Sequence, residues 1–141
     1  LLNSIADYVT HVGSLEHYLH PQEGAKEIAR ILKPGGKACI LLPNAFGLLG
    51  NIHYVIRKGD IFDDGQPLQR YGTRKAWQSI LESAGLEITS VIGYFEITPP
   101  QSLDDLMWLL TRPRKLARLL LSHLIPINLC NDFVFLCTKN E

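Results

Sequence analysis

The sequence predicts an α/β protein built on a mainly parallel sheet, and three observations carry that expectation. A short β-branched run, an amphipathic helix and an all-apolar run succeed one another between residues 7 and 42. A further helix and strand pattern continues the alternation from Thr73. A last apolar run, Phe133-Val134-Phe135-Leu136-Cys137, closes the chain as a buried strand. Strands that alternate with helices build parallel sheets, because each crossover helix returns the chain to the same end of the sheet.

The first strand is Tyr8-Val9-Thr10-His11-Val12, bounded by Asp7 and Gly13. Pro21 and Glu23 open a helix in which Ala25, Ile28, Ala29 and Leu32 form one apolar face. Pro34-Gly35-Gly36 ends it. Ala38 to Leu42 is apolar throughout, as expected of a strand covered on both faces. Residues 43–72 are less regular and carry five glycines, with a short helix expected within Phe46 to Val55. So long a connection inside a compact domain is read as a lid or acceptor loop. Thr73 is placed to cap the next helix, whose inner face is Trp77, Ile80, Leu81 and Ala84, and Gly85 to end it. A strand is expected from Leu86 to Ile97, with a break at Gly93. The helical pattern from Ser102 to Leu124 divides at Pro113, which suits the first turn of a second helix.

Composition narrows the function classes. The 141 residues are 46% hydrophobic and 20% charged, as in a single globular domain. Fourteen basic side chains balance fourteen acidic ones, which argues against nucleic-acid binding driven by overall charge. Cys39, Cys130 and Cys137 have neither CxxC nor zinc-site spacing, and Cys39 and Cys137, in apolar runs that read as strands, are expected to be buried free thiols, which suits a cytoplasmic location. No apolar run is long enough to span a bilayer, so no stable membrane insertion is expected.

The order of motifs points to a family. Asp7-Tyr8-Val9, Leu15-Glu16-His17, Glu27-Ile28-Ala29-Arg30-Ile31-Leu32-Lys33-Pro34-Gly35-Gly36 and Leu42-Pro43-Asn44 resemble the second half of the class I S-adenosylmethionine-dependent methyltransferase domain. Arg70-Tyr71-Gly72-Thr73, Trp77, Leu81 and Ala84-Gly85-Leu86 extend the resemblance. It implies a partial Rossmann-like, doubly wound sheet made of the family's fourth to seventh strands. The last strand would be antiparallel and inserted beside the fifth. Residues 1–141 would then be the C-terminal part of one methyltransferase domain. The family's glycine-rich loop and ribose-binding acid would lie outside this chain, so the chain alone is expected to bind cofactor poorly and to be inactive.

The same resemblance, with the rule that ligands bind beyond the carboxyl ends of strands where strand order reverses, assigns the site. Val12, Gly13, Ser14 and His17 would border S-adenosylmethionine. Asn44, His53, Tyr54 and Tyr71 would face a small-molecule acceptor: a metabolite, a lipid or a sugar precursor. For Asn44 the competing role is an Asx-turn after Pro43. Some relatives bind a divalent ion through Glu-x-x-Glu-His. Here Gly13-Ser14-Leu15-Glu16-His17 lacks the first glutamate, so no metal site is assigned. No catalytic base is assigned either. Methyl transfer needs one only when the acceptor must lose a proton, and His17, His53, Tyr54 and Tyr71 are the groups placed to serve.

Two further readings remain open. The chain could be a non-catalytic partner or regulatory half-domain that completes another subunit. The edge of the first strand, uncovered without the family's first three strands, could pair two copies. In the C-terminal helices the basic residues Arg112, Arg114, Lys115 and Arg118 are expected to be solvated, while the leucines beside them cover the sheet.

Overall fold

The computed structural model describes residues 3–63, 65–95 and 99–140. Four strands form one sheet in the order β1-β2-β4-β3: β1 (Ala6–Val12), β2 (Leu32–Pro43), β3 (Leu86–Tyr94) and β4 (Asp132–Lys139). β1 and β2 pair in parallel, and β4 runs antiparallel to both β2 and β3. The last strand is therefore inserted beside β2, as the sequence implies. Helix α1 (Pro21–Ile31) makes the crossover between β1 and β2, and α3 (Arg74–Ser83) leads into β3. Together, α1 and α3 cover one face of the sheet. That face holds Ala38, Ile40 and Leu42 of β2 and Phe133, Phe135 and Cys137 of β4. The helices contribute Ala25, Ile28, Ala29, Trp77 and Leu81.

Burial along β2 alternates, so the expectation that Ala38 to Leu42 is equally covered on both faces is not met. Ala38, Ile40 and Leu42 are at most 1% exposed, whereas Cys39 and Leu41 are half-buried. The period of two places successive side chains on opposite faces, and α1 and α3 cover the first of these.

β2 also starts earlier than the hydrophobic run suggests. Leu32 leaves the helix with extended backbone, pairs with Ala6, and is fully buried. Between the pairs Ala6–Leu32 and Tyr8–Lys37 the second strand carries three more residues than the first. Pro34-Gly35-Gly36 absorbs them. A Cβ on Gly36 would lie 2.8 Å from the Lys33 carbonyl oxygen, so the arch needs glycine there. The irregularity in β3 falls at Thr89 rather than Gly93: two residues, Thr89 and Ser90, advance while β4 advances one. The Thr89 hydroxyl donates to the Leu136 carbonyl across the bulge at 3.0 Å. β3 is described to Tyr94; the expected continuation to Ile97 lies outside the described residues.

Thr73 caps α3 by accepting from the Ala76 amide at 3.1 Å, and Gly85 comes just after the helix with φ of +86°. The C-terminal pattern resolves into α4 (Leu103–Leu110) and α5 (Pro113–Ser122), with Pro113 in the first turn. Their leucines are covered only in part: Leu116 and Leu119 are half-buried. Leu103, Leu110, Leu120, Leu121 and Leu124 are all more than half exposed, and Leu109 is the only buried leucine of the two helices.

The three cysteines are free thiols in different settings. Cys130 and Cys137 are at most 2% exposed, and burial pushes their thiols up to about 11 and about 12. Cys39 is half-buried on the less covered face. At neutral pH a small thiol reagent is expected to label Cys39 in the native chain, and the other two only in denaturant. Mass spectrometry of the labelled peptides checks this; native labelling of Cys137 would contradict the packing of β4.

Candidate functional site

The carboxyl ends of β1, β2 and β3 and the amino end of β4 share one rim of the sheet, since Val12 pairs with Leu41, and Asp132 with both Pro43 and Tyr94. The segments that leave β1 and β2 close over this rim. After β1 the chain makes a 3-10 turn, Leu15–His17. After β2 it makes the excursion of residues 45–71. Its ends are pinned: the Ala45 amide donates to Gly72 O at 3.0 Å, and the Gly72 amide donates to Pro43 O at 3.3 Å. The Trp77 indole donates to the same Pro43 carbonyl at 2.9 Å and lies where any Cβ on Gly72 would sit. Within the excursion a π turn, Leu48–Ile52, runs into α2 (His53–Lys58). The helix is thus shifted toward the C-terminus relative to the expected Phe46 to Val55. Non-helical backbone at Gly50 kinks the π turn, and left-handed Gly59 ends α2.

The two loops are stitched together. His17 Nδ1 donates to the Leu68 carbonyl at 2.6 Å. Arg70 donates to the carbonyls of Tyr18 and Leu19, the latter at 2.9 Å. These bonds make residues 66–71 a wall rather than a free flap.

Between the rim, this wall and α5 lies a cavity of about 620 Å3. It brings together Val12, His17, Asn44, His53, Tyr54 and Tyr71 from the residues singled out in the sequence. Gly13 and Ser14 are not among its lining. Ser14 instead turns its hydroxyl to the His11 ring, 3.2 Å from Nε2, and a Cβ on Gly13 would meet nothing closer than 3.8 Å. Half-burial lowers the pKa of His11.

Asn44 lines the cavity, and the polar atoms of its side chain are bonded to the scaffold. It is 1% exposed. Its Nδ2 donates to the carbonyls of Asn128 (2.9 Å) and Cys130 (2.7 Å), and its Oδ1 accepts from the Phe46 amide (3.0 Å). The last bond is the Asx-turn that the sequence offered as the competing role.

Among the lining groups that escaped sequence reasoning are Gln69, Tyr94, Arg118 and Asn131. Arg118 is the most informative. It is half-buried rather than solvated, and one of its guanidinium Nη atoms donates to Leu49 O at 3.3 Å. Its Nε is buried and has no hydrogen-bond partner among the described residues, and the same holds for Asn131 Oδ1 and Gln69 Oε1. The sequence carried no signal for it: Arg118 lies one helical turn before Ser122, but only the structure shows Ser122 to be the buried position of α5. Aromatic side chains supply the apolar surface of the cavity. Tyr54 and Phe62 meet edge to face at 5.5 Å, and Tyr71 donates to Phe62 O at 3.3 Å.

A family model described as a methyltransferase domain matches residues 2–91. The chain belongs to the methyltransferase-domain family, and its fold is that of the class I S-adenosylmethionine-dependent enzymes. An S-adenosylmethionine-dependent methyltransferase from Thermotoga maritima superposes with a TM-score of 0.65 at 19% identity, covering 99% of this chain and 58% of that one. A didemethyltoxoflavin N1-methyltransferase from Burkholderia thailandensis, solved with S-adenosylhomocysteine, superposes with a TM-score of 0.55 at 15% identity, covering 99% and 46%. In sequence, 38 residues are 47% identical to the chloroplastic 2-methyl-6-phytyl-1,4-hydroquinone methyltransferase of Arabidopsis thaliana, 27% of this chain and 11% of the plant enzyme. The chain thus spans 58% and 46% of the lengths of these two structural relatives.

Proposed function

We propose that this chain forms the C-terminal, acceptor-side half of an enzyme that transfers a methyl group from S-adenosylmethionine to a small-molecule acceptor. The observation that carries the reading is the cavity at the carboxyl rim, bounded by Val12 and His17 on one side and by the 45–71 excursion and α5 on the other. S-adenosylmethionine supplies an electrophilic methyl group on sulfur. The residues present fit one edge of its site: the half-buried His17 and the end of β1 at Val12. The glycine-rich loop and ribose-binding acid that the resemblance requires would belong to preceding strands added beside β1, the end strand of the sheet.

The remaining work of this chain is to hold the acceptor. Tyr54, Phe62, Tyr71 and Tyr94 suit a flat ring or other planar group, and Arg118, Asn131 and Gln69 offer polar atoms for its substituents. Fixing the acceptor in line with the methyl–sulfur bond supplies much of the rate of such a displacement. His17 commits Nδ1 to Leu68 and keeps Nε2 3.7 Å from Glu16, so it is a positioning group between the two loops. The His53 amide donates to Gly50 O, but its imidazole makes no hydrogen bond to the described residues and is the better placed to take a proton from an acceptor hydroxyl.

Calorimetric titration of the full-length protein with S-adenosylhomocysteine tests the reading, and saturable binding is expected. Substitutions within 45–71, such as Tyr54→Ala, are expected to change which acceptors are methylated while cofactor affinity stays the same. Loss of cofactor binding with acceptor binding intact would overturn the division of the site.

A further inference from the structure

We infer that the α4–α5 hairpin is a docking surface for an anionic lipid bilayer. In α4, Leu103, Met107 and Leu110 recur at i, i+4 and i+7 and are 80%, 61% and 52% exposed. On α5 and just beyond it, Leu120, Leu121 and Leu124 are 63%, 52% and 78% exposed. An unpaired apolar face of this kind on two packed helices is unusual for a surface meant only for water.

Charge selects the occupant. The chain as a whole is neutral. Yet Arg112, Arg114 and Lys115, all exposed, fall within four positions at the junction of the two helices. The acids of the hairpin, Asp104 and Asp105, are in the first turn of α4, at its opposite end. The cationic end carries Trp108, 46% exposed, with the Arg112 guanidinium 4.1 Å and the Lys115 ammonium 4.3 Å from its ring. A half-exposed indole with two cations against its ring, on helices that also expose leucines, is the residue set that suits a bilayer interface. No helix among the described residues is long and apolar enough to cross a membrane, so the association is peripheral. Arg118, on the inner face of α5, stays with the cavity. The same short helix therefore presents exposed leucines on one face and lends Arg118 to the cavity from another.

The test is co-sedimentation of the full chain with phosphatidylcholine vesicles, with and without phosphatidylglycerol. Binding is expected to the anionic vesicles and to fall as salt rises. The double variant Arg114→Ser, Lys115→Ser, at exposed positions, is expected to weaken it by roughly fivefold per charge removed. Leu120→Ser with Leu124→Ser should weaken binding to the same vesicles without changing its salt dependence. Trp108 emission should shift to shorter wavelength on binding, because the other tryptophan, Trp77, is already buried. Equal binding to neutral and anionic vesicles, or to neither, would overturn the inference. So would a concentration-dependent dimer that Leu120→Ser and Leu124→Ser abolish, since the face would then belong to a second copy of the chain. Because this assay involves no methyl donor, its failure leaves the methyltransferase reading standing, and failed cofactor binding leaves the docking surface standing.

Discussion

Replacing Asn44 by Ala is expected to destabilise the fold by about 3–5 kcal/mol, the sum of leaving two carbonyls and one amide without their partner in a site with little water. The carbonyls are those of Asn128 and Cys130, and the amide is that of Phe46. Asn44 also joins the site through its backbone: its amide donates to Asn131 O at 2.9 Å, and Asn51 Nδ2 donates to its carbonyl at 3.1 Å. One residue thus fastens the end of β2, the start of the 45–71 excursion and the approach to β4. Asn44→Asp separates the two halves of the effect. It keeps the Asx-turn acceptor but removes both donors and sets a buried carboxylate against two carbonyl oxygens, so it should be at least as damaging as alanine. Urea denaturation checks both, read as a lower midpoint at constant slope. A loss below about 1 kcal/mol for Asn44→Ala would show that the carbonyls find water and that the scaffold role is overstated.

The asymmetry between what the sequence disclosed and what it hid has a physical basis. α1, α3 and β4 were legible because each buries one face in this chain, and burial writes its period into the sequence, whereas β1, none of whose residues is buried, was legible from its β-branched run between Asp7 and Gly13. Thr73 and Pro113 were legible because capping and first-turn geometry depend on neighbours within four residues. The early start of β2 was not, because Pro34-Gly35-Gly36 is the usual exit of a helix and only the pairing of Leu32 with Ala6 shows an arch instead. The bulge at Thr89 is likewise set by the partner strand. In the site, Val12, His17, His53, Tyr54 and Tyr71 were found because they come just after strands or fill the long connection beyond one. Arg118 was missed because an arginine among leucines on a helix reads as solvated, and the helix pattern does not say which polar residue faces inward. The leucines of α4 and α5 misled for the matching reason: amphipathic spacing identifies a face but not what covers it.

Arg118 is also where the proposed function makes its largest kinetic claim. Methionine at this position retains a flexible chain of similar reach and removes the charge. Arg118→Met in the full-length enzyme is expected to raise the acceptor KM by roughly 10- to 100-fold, the range for losing a charge-assisted hydrogen bond. The affinity for S-adenosylhomocysteine should not change, because Val12 and His17 lie across the cavity on separate elements. The alternative is that Arg118 only braces the π turn through Leu49 O. That role predicts a different pattern: a lower melting temperature with the acceptor KM unmoved. Arg118→Lys sharpens the contrast, since an ammonium can reach a single carbonyl but cannot reproduce the fork of the guanidinium. If the lysine variant restores melting temperature but not KM, the guanidinium is reading the acceptor. If it restores both, the acceptor needs only a positive charge there. An unchanged KM in the methionine variant would remove Arg118 from the acceptor site and leave the aromatic walls as its sole determinant.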